Sequence, residues 1–197
     1  MCNDYAREIE LSRVLKAVKE MRHVPSFAWR GGNTPNDIAP QPHIKISDKG
    51  FVATLDGKHL SGGMVKWAWK TPTGKPVFNF VSEGRDFSKS ARCLILATSF
   101  YEYTAPAKGK LKDQHQFTIR GADWFWIAGI IKEECFTMLT ADPGPDVKPY
   151  HDRQICLLKP EQGTDWLNLA RPEAELLKPL PKNSLQHRQT RKDGVDL

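Results

Sequence analysis

Cys2 offers the most distinctive chemistry in this chain because of both its type and its position. Methionine aminopeptidase accepts a small residue at position two, so Met1 is expected to be removed and Cys2 to become the mature N-terminus. A terminal cysteine carries a thiol and an α-amine with a pKa of about 7.7 to 8.0, so part of the amine is neutral at pH 7. The amine can form a Schiff base with an aldehyde, and the thiol can then close a five-membered thiazolidine ring. A disordered, unreactive second residue is the alternative.

Three other polar residues have neighbours that suit them to proton transfer or substrate binding. His151 lies between a proline-containing turn and an expected strand, where a loop presents a general acid or base. Glu102 lies in the aromatic stretch SFYEYT, and apolar neighbours raise a carboxyl pKa. Asn79 lies between two phenylalanines, where its amide either orients a substrate or fixes a turn. A structural role also stays open for His151, as a surface histidine, and for Glu102, as a solvent-facing position on a strand.

Several aromatic side chains offer faces on which unstacked bases could rest. Because most tryptophans are core residues, at most two of these side chains are expected to meet DNA. The candidates are Trp67, Trp69, Tyr101, Tyr103, Trp124 and Trp126.

The composition indicates a folded domain with a basic surface. The 197 residues carry 29 basic and 23 acidic side chains and a formal charge of +6, which favours polyanion partners but is equally common among enzymes that never touch nucleic acid. No apolar stretch has the length needed to cross a bilayer, and the first residues lack the pattern of a secretory signal. A cytoplasmic, nucleoid-associated protein without membrane contact is therefore expected.

The four cysteines form neither a C-x-x-C pair nor a zinc-finger spacing with histidines, so no metal site and no disulfide framework are predicted. Cys93, Cys135 and Cys156 each lie in an apolar run and are expected to act as small buried hydrophobes.

The elements that must position these residues follow from hydrophobic periodicity. Short runs bounded by turn residues predict a mostly antiparallel sheet, and four segments favour helices. One α+β domain over residues 1–197 is predicted, with 181–197 as a solvated, loosely ordered tail. The predicted strands are 43–47, 51–55, 64–70, 92–97, 116–120, 124–131, 136–140 and 153–158, and the predicted helices are 7–21, 83–91, 160–169 and 172–177.

Seven blocks in order make the chain resemble the SOS response-associated peptidase (SRAP) family from Met1 to about Trp166. No block is specific alone, but the whole series is hard to obtain by chance. The blocks are Met1-Cys2, Asn36-Asp37-Ile38-Ala39-Pro40, Met64-Val65-Lys66-Trp67, Asn79-Phe80-Val81-Ser82-Glu83, Arg92-Cys93-Leu94-Ile95 with Phe100-Tyr101-Glu102, Ala128-Gly129 and His151-Asp152-Arg153.

The resemblance implies that Cys2 attacks the ring-opened sugar aldehyde of an abasic site in single-stranded DNA and forms a thiazolidine crosslink. Asn79 would hold Cys2 and the sugar, Glu102 would assist Schiff-base formation, and His151 would move protons on the opened sugar and in reversal. The family also removes the residue before the cysteine, and the resemblance leads us to expect lyase-type activity in addition. The DNA-binding residues would be Pro40, Trp67, Arg85, Tyr103 and Arg153.

The resemblance further implies a compact α+β domain around a bent, barrel-like, mainly antiparallel sheet with flanking helices. It implies a basic groove for the DNA, no metal or organic cofactor, and a monomer.

Departures from the family pattern fall at expected phosphate contacts. Family members commonly read Met-Cys-Gly-Arg, but Asn3 and Asp4 stand here, and Val81 replaces a second arginine. Each lost charge-assisted contact is worth about 1.5 to 3 kcal/mol. Arg85 would compensate if its segment were helical.

Two other function classes stay open. A cysteine peptidase in which the thiol attacks an amide would need an oxyanion site and activity on peptides beyond Met1. A non-covalent single-stranded DNA module would retain Met1, which blocks the amine of Cys2.

Overall fold

The longest helix forms where apolar side chains recur at helical spacing. In the computed structural model of the protein, which describes residues 2–20, 26–36, 38–57 and 59–197, α1 (Leu11–Glu20) buries Leu11, Val14 and Val18 on one face. The helix predicted over 7–21 is confirmed in its centre. Arg7 belongs instead to the preceding strand, and Met21 lies outside the described residues.

Strands are the main secondary structure of the described chain, and the helices after α1 are short. The helices after α1 are a single 3₁₀ turn (Pro160–Gln162), α2 (Gly163–Asn168) and α3 (Glu173–Leu176). The strands are β1 (Asp4–Arg7), β2 (Phe27–Trp29), β3 (Gln41–Lys45), β4 (Lys49–Asp56), β5 (His59–Trp67), β6 (Trp69–Lys70), β7 (Pro76–Val77), β8 (Asn79–Val81), β9 (Ala91–Ala97), β10 (Ser99–Thr104), β11 (Asp113–Ile119), β12 (Phe125–Lys132), β13 (Cys135–Ala141), β14 (Gln154–Ile155), β15 (Leu157–Leu158), β16 (Leu185–Lys192) and β17 (Val195–Asp196).

The larger sheet curls back on itself. Its strands follow the order β14, β13, β12, β9, β4, β5, β2, and β13 also pairs in parallel with β5 through Cys135 opposite Lys66 and Phe136 opposite Trp67. Strand β8 pairs with the same β13, which places Asn79 opposite Met138. The curl therefore brings Asn79 to the edge of a half-barrel.

The second sheet carries the N-terminus in its interior. Its strand order is β17, β16, β11, β10, β1, β3, so β1 lies between two neighbours and pairs with both of them in antiparallel register. Backbone hydrogen bonds on both sides fix the segment that follows Cys2.

Apolar side chains on both faces of the central strands form two clusters. On β9, Leu94 and Leu96 join the cluster beneath α1 and α2, while Cys93 and Ile95 point into the cluster between the two sheets. A strand buried on both faces reads as a continuous apolar run, which is why RCLILA lacks alternation.

The predicted fold is confirmed as a single domain around a bent, mainly antiparallel sheet, with β structure dominating over helix. Two predicted segments were wrong. Residues 83–91 contain turns, because Gly84 adopts a left-handed conformation at φ +70° and stops a helix. Residues 185–192 form β16, paired with β11 over six register positions, where a loose tail was predicted.

The tail prediction failed because the exposed face of β16 is polar and basic. Leu185 is the buried residue of the strand, and His187, although exposed, packs its ring against Phe117 of β11, so alternation of buried and exposed residues is weak in the sequence. Backbone pairing with β11 supplies the order that side-chain patterning does not signal.

Candidate active site

Cys2 is held from both sides although it is near the end of the chain. Its side chain is 1% exposed, and its backbone carbonyl accepts a hydrogen bond of 2.7 Å from Nδ2 of Asn79. Its thiol donates to the carbonyl of Asp4 at 3.3 Å. The strand after Cys2 and the amide of Asn79 therefore fix the position of the backbone and of the sulfur.

The surroundings of Cys2 keep its thiol protonated. Burial raises the pKa of Cys2, and the nearby carboxylate of Glu102 raises it further. A proton must therefore leave the sulfur during a reaction, and a base must lie close to it.

Glu102 is that neighbouring acid-base group. It lies on β10, the strand beside β1, with 1% of its surface exposed, and burial raises its pKa to about 7 from an ordinary value of 4.5. A carboxyl group with this pKa exists in both protonation states at neutral pH and can give or take a proton.

His151 completes the group from a different part of the chain. Its Nε2 lies 3.8 Å from Oε2 of Glu102. Its Nδ1 lies 3.1 Å from the backbone N–H of Arg153, a donor, and 2.8 Å from Oδ1 of Asp152, an acceptor. Nδ1 thus has a partner whether or not it carries a proton, which leaves Nε2 able to exchange one with its surroundings. Burial lowers the pKa of His151 and favours the neutral ring.

Asn79 also presents an acceptor. Its Oδ1 is buried and has no hydrogen-bond partner among the described residues, while its Nδ2 holds Cys2. A buried amide oxygen left unpaired costs free energy, so a ligand hydroxyl would be a favourable partner.

A cleft of about 590 Å³ opens beside Glu102 and His151, which are both among its lining residues. Its size lies within the usual range for small-molecule and cofactor sites. Cations on its walls are Lys45, Lys110, Lys112 and Arg191.

Asp4 occupies the same cleft, in place of the cation that the resemblance led us to expect. Its carboxylate is 2% exposed and receives hydrogen bonds from the hydroxyl of Tyr103 at 2.8 Å and from the ring of His43 at 3.0 Å. Burial raises the pKa of Asp4. The side chain is integrated into the sheet through these contacts.

The structure brings the four predicted catalytic residues Cys2, Asn79, Glu102 and His151 together, but it scatters the predicted DNA-binding residues. Tyr103 lines the cleft. Trp67 is fully buried, with its Nε1 donating to the carbonyl of Phe78, so neither face can receive a base. Pro40 is exposed and is not among the residues that line the cleft.

Two predicted cationic contacts serve other purposes. Arg153 binds Glu83 at 2.7 Å, Asp142 at 2.8 Å and the carbonyl of Thr140 at 2.9 Å, and so ties a loop to β13. Arg85 does not lie on a helix and lines a separate cavity of about 480 Å³.

None of the four cations of the cleft was predicted from the sequence to bind DNA. Lys110 and Lys112 lie in the basic run KGKLK between two strands, which was a usable signal. Arg191 lies in the segment predicted to be a loose tail, and Lys45 gave no signal beyond its charge.

The described residues contain no cluster of three or more histidine, cysteine, aspartate or glutamate side chains suited to hold a metal ion. None of their helices combines the length and apolarity of a membrane span.

The chain is similar to several curated proteins over most of its length. Abasic site processing protein YobE of Bacillus subtilis (strain 168) is 25% identical over 91% of this chain and 88% of its own length. YoaM from the same organism, also named an abasic site processing protein, is 30% identical over 74% of this chain and 71% of its own. YoqW of Bacillus phage SPbeta, with the same description, is 28% identical over 91% and 86% of the two chains.

Solved structures share the fold. A crystal structure of a protein from Bacteroides thetaiotaomicron superposes with a TM-score of 0.70 at 16% identity, covering 98% of this chain and 93% of its own. A phage-related protein from Bordetella bronchiseptica gives a TM-score of 0.70 at 20% identity, covering 97% and 95%. The model of the SOS response associated peptidase (SRAP) family matches residues 1–193, and the chain therefore belongs to that family.

Proposed function

We propose that this protein captures abasic sites in single-stranded DNA as a thiazolidine crosslink to Cys2, after removal of Met1. The observation that carries this proposal is the position of Cys2, whose backbone is held by Asn79 at 2.7 Å and whose thiol is close to the buried carboxyl group of Glu102. The relatives named abasic site processing proteins support the choice of substrate.

Hydrolysis of the Met1–Cys2 peptide bond consumes one water molecule and frees the α-amine. The neutral amine adds to the aldehyde of the ring-opened sugar and gives a carbinolamine. Protonated Glu102 donates a proton to the departing hydroxyl, and water leaves as the imine forms.

Ring closure follows at the same carbon. The sulfur of Cys2 attacks the imine carbon, its proton passes to Glu102 or His151, and the imine nitrogen gains a proton. The crosslink step as a whole combines one amine, one thiol and one aldehyde and releases one water molecule. Oδ1 of Asn79 can accept a hydrogen bond from a sugar hydroxyl during these steps.

A denaturing gel tests the proposal directly. Protein whose intact mass shows that it begins at Cys2 is incubated with single-stranded DNA that carries one abasic site. A slower band that requires both the lesion and Cys2 is expected, and Cys2→Ala abolishes it. Cys2→Ser keeps the amine but lacks the thiol, so it should give a band only after borohydride traps the Schiff base.

The competing functions predict other results. Protein that retains Met1 in full and binds DNA without a covalent band would favour a non-covalent module. Cleavage of peptides unrelated to Met1 would favour a peptidase, although the raised pKa of the Cys2 thiol works against a thiolate attack on amides.

A further inference from the structure

The charges of the cleft are divided between its floor and its rim. The floor holds the carboxyl groups of Asp4 and Glu102, which are 2% and 1% exposed. The rim holds the side chains of Lys45, Lys110 and Lys112, all of them exposed. A phosphate would therefore be attracted to the rim, while an uncharged aldehyde can reach the floor.

Three cations beside the cleft have no acidic partner in the described part of the chain to compete with a bound anion. Among the described residues, no carboxylate lies within ion-pair distance of Lys110, Lys112 or Arg191. Arg153, by contrast, is bound by both Glu83 and Asp142. Unpaired cations grouped around one cleft are available to bind an anion from solution.

Arg191 is positioned for such an anion by the second sheet. Its Nε donates to the carbonyl of Lys112 at 2.9 Å, and its guanidinium carbon lies 5.9 Å from the ring centre of Tyr103. Its strand is fixed to β11 by the hydroxyl of Thr190, which donates to Oε1 of Gln114 at 2.9 Å. The two terminal nitrogens have no protein acceptor among the described residues, and their fork matches a phosphodiester.

Lys112 lies between Arg191 and the candidate catalytic residue His151. Its backbone carbonyl holds Arg191, and its side chain lines the cleft together with His151. Burial is the main cause of the lowered pKa of His151, and the charge of Lys112 across the cleft lowers that pKa further.

We propose that Arg191 and Lys112 bind the phosphodiester next to the reacting sugar, so that the C-terminal hairpin of β16 and β17 forms part of the DNA-binding site. This subsite deepens the proposed function and rests on it for the identity of the lesion. Its affinity for the DNA backbone is a separate property, since a phosphate is also present in undamaged strands.

The test measures binding of undamaged single-stranded DNA by Arg191→Ala and Lys112→Ala at several salt concentrations. Each variant should bind about three- to tenfold more weakly at low salt, and its salt slope should fall by about 0.7, the value for one phosphate contact on a single strand. Arg188→Ala and Lys192→Ala are matched controls, because both side chains lie on the same strand, are exposed and are not among the residues that line the cleft. They should keep the wild-type slope.

Crosslinking of abasic DNA gives the second readout. Both cleft variants should need a higher DNA concentration for half-maximal rate, while their rate at saturating DNA stays within about twofold of wild type. Arg191→Lys should recover part of the affinity, because it keeps the charge without the fork. Thermal melting confirms that each variant is folded.

The outcomes separate the two proposals. If Cys2-dependent crosslinking is seen but the cleft variants bind undamaged DNA as tightly as Arg188→Ala, the phosphate subsite is wrong and the function stands. If no crosslink forms and the salt slope still falls only in the cleft variants, the subsite stands and the function is wrong.

Discussion

The floor and the rim of the cleft are built in opposite ways. Glu102 in the floor and the neighbouring Cys2 are almost fully buried, and their positions are set by strand pairing and by the amide of Asn79. The rim cations Lys110 and Lys112 are exposed, come from a loop and have no acidic partner among the described residues. The floor is desolvated, whereas the lysines of the rim are solvated.

This difference matches what the proposed function requires of each region. Covalent chemistry needs atoms within a few tenths of an ångström of a productive geometry and pKa values moved from their ordinary range, and burial provides both. Attraction of a flexible polyanion needs charge close to solvent, where side chains can follow the strand. Changes in the floor should therefore alter the rate of reaction, and changes in the rim should alter DNA affinity.

The largest effect is expected for Glu102→Gln, which removes the acid-base group of the floor. The crosslinking rate should fall by about a hundredfold or more, because proton transfer to the leaving hydroxyl is lost. In wild type the rate should also decline as the pH rises through about 7, since the pKa of Glu102 is about 7 and its acid form disappears. The variant should lack this decline, and single-turnover rates from pH 5 to 9 measure both effects.

Glu161→Gln is the matched control for that variant, because its carboxylate is exposed. It should react like wild type at every pH. A Glu102→Gln protein with the wild-type rate and pH profile would assign proton transfer to another group.

Glu102 should also lower the stability of the protein at high pH. Its folded-state pKa of about 7 lies above the ordinary 4.5, so its stabilising contribution is fully present below pH 4.5 and lost as the pH rises through 7. Glu102→Gln should therefore be more stable than wild type by on the order of 3 kcal/mol at pH 8, with the gap closing towards pH 4.5. Urea unfolding at pH 8 and pH 4.5 measures the difference in free energy of unfolding between the variant and wild type. An equal difference at both pH values would contradict burial as the cause of the raised pKa of Glu102.

A smaller loss of rate is expected for Asn79→Ala. The variant removes the hydrogen bond that holds the carbonyl of Cys2, and the reaction should slow by about tenfold with little change in DNA affinity. Asn168→Ala, which truncates an exposed amide, serves as the control. A change in DNA affinity without a change in reaction rate would assign Asn79 to DNA binding and not to the reaction.

The smallest effect is expected for Asp4→Asn, which tests whether the acidic floor weakens the basic rim. Removal of one negative charge from the cleft should tighten binding of undamaged single-stranded DNA by about fivefold at low salt, and less at high salt. Asp56→Asn on the other sheet should leave binding unchanged. Equal affinity of wild type and Asp4→Asn would mean that the hydrogen bonds of His43 and Tyr103 already neutralise the carboxylate.

The sequence was sufficient to bring four residues forward as candidates. A non-catalytic alternative stayed open for each of Cys2, Asn79, Glu102 and His151 taken alone, and only the ordered family blocks connected them. The central strands were equally predictable, because apolar runs such as that of β12 are long and bounded by turn residues. Strand boundaries shifted by a few residues, as between the predicted 116–120 and β11 at Asp113–Ile119.

The rim could not be predicted in the same way. Trp67 and Arg153 fit a DNA-binding role by type, but packing made one of them core and ion pairing made the other a structural tie. Arg191 was assigned to a loose tail, and β11 instead holds its strand in the sheet. The sequence around a lysine or arginine looks the same whether the side chain forms an ion pair, is solvated or faces a cleft. Only the fold distinguishes these cases.

The sequence by itself determined which groups of this protein are candidates for the reaction, because the chemistry of a thiol, a carboxyl group and an imidazole belongs to the side chains. The tertiary structure decided their pKa values and their partners, because burial and distance arise only when β1, β8 and β10 come together from distant parts of the chain. It also decided which cations face the cleft, since a charge acts over space and the order of residues along the chain does not record that distance.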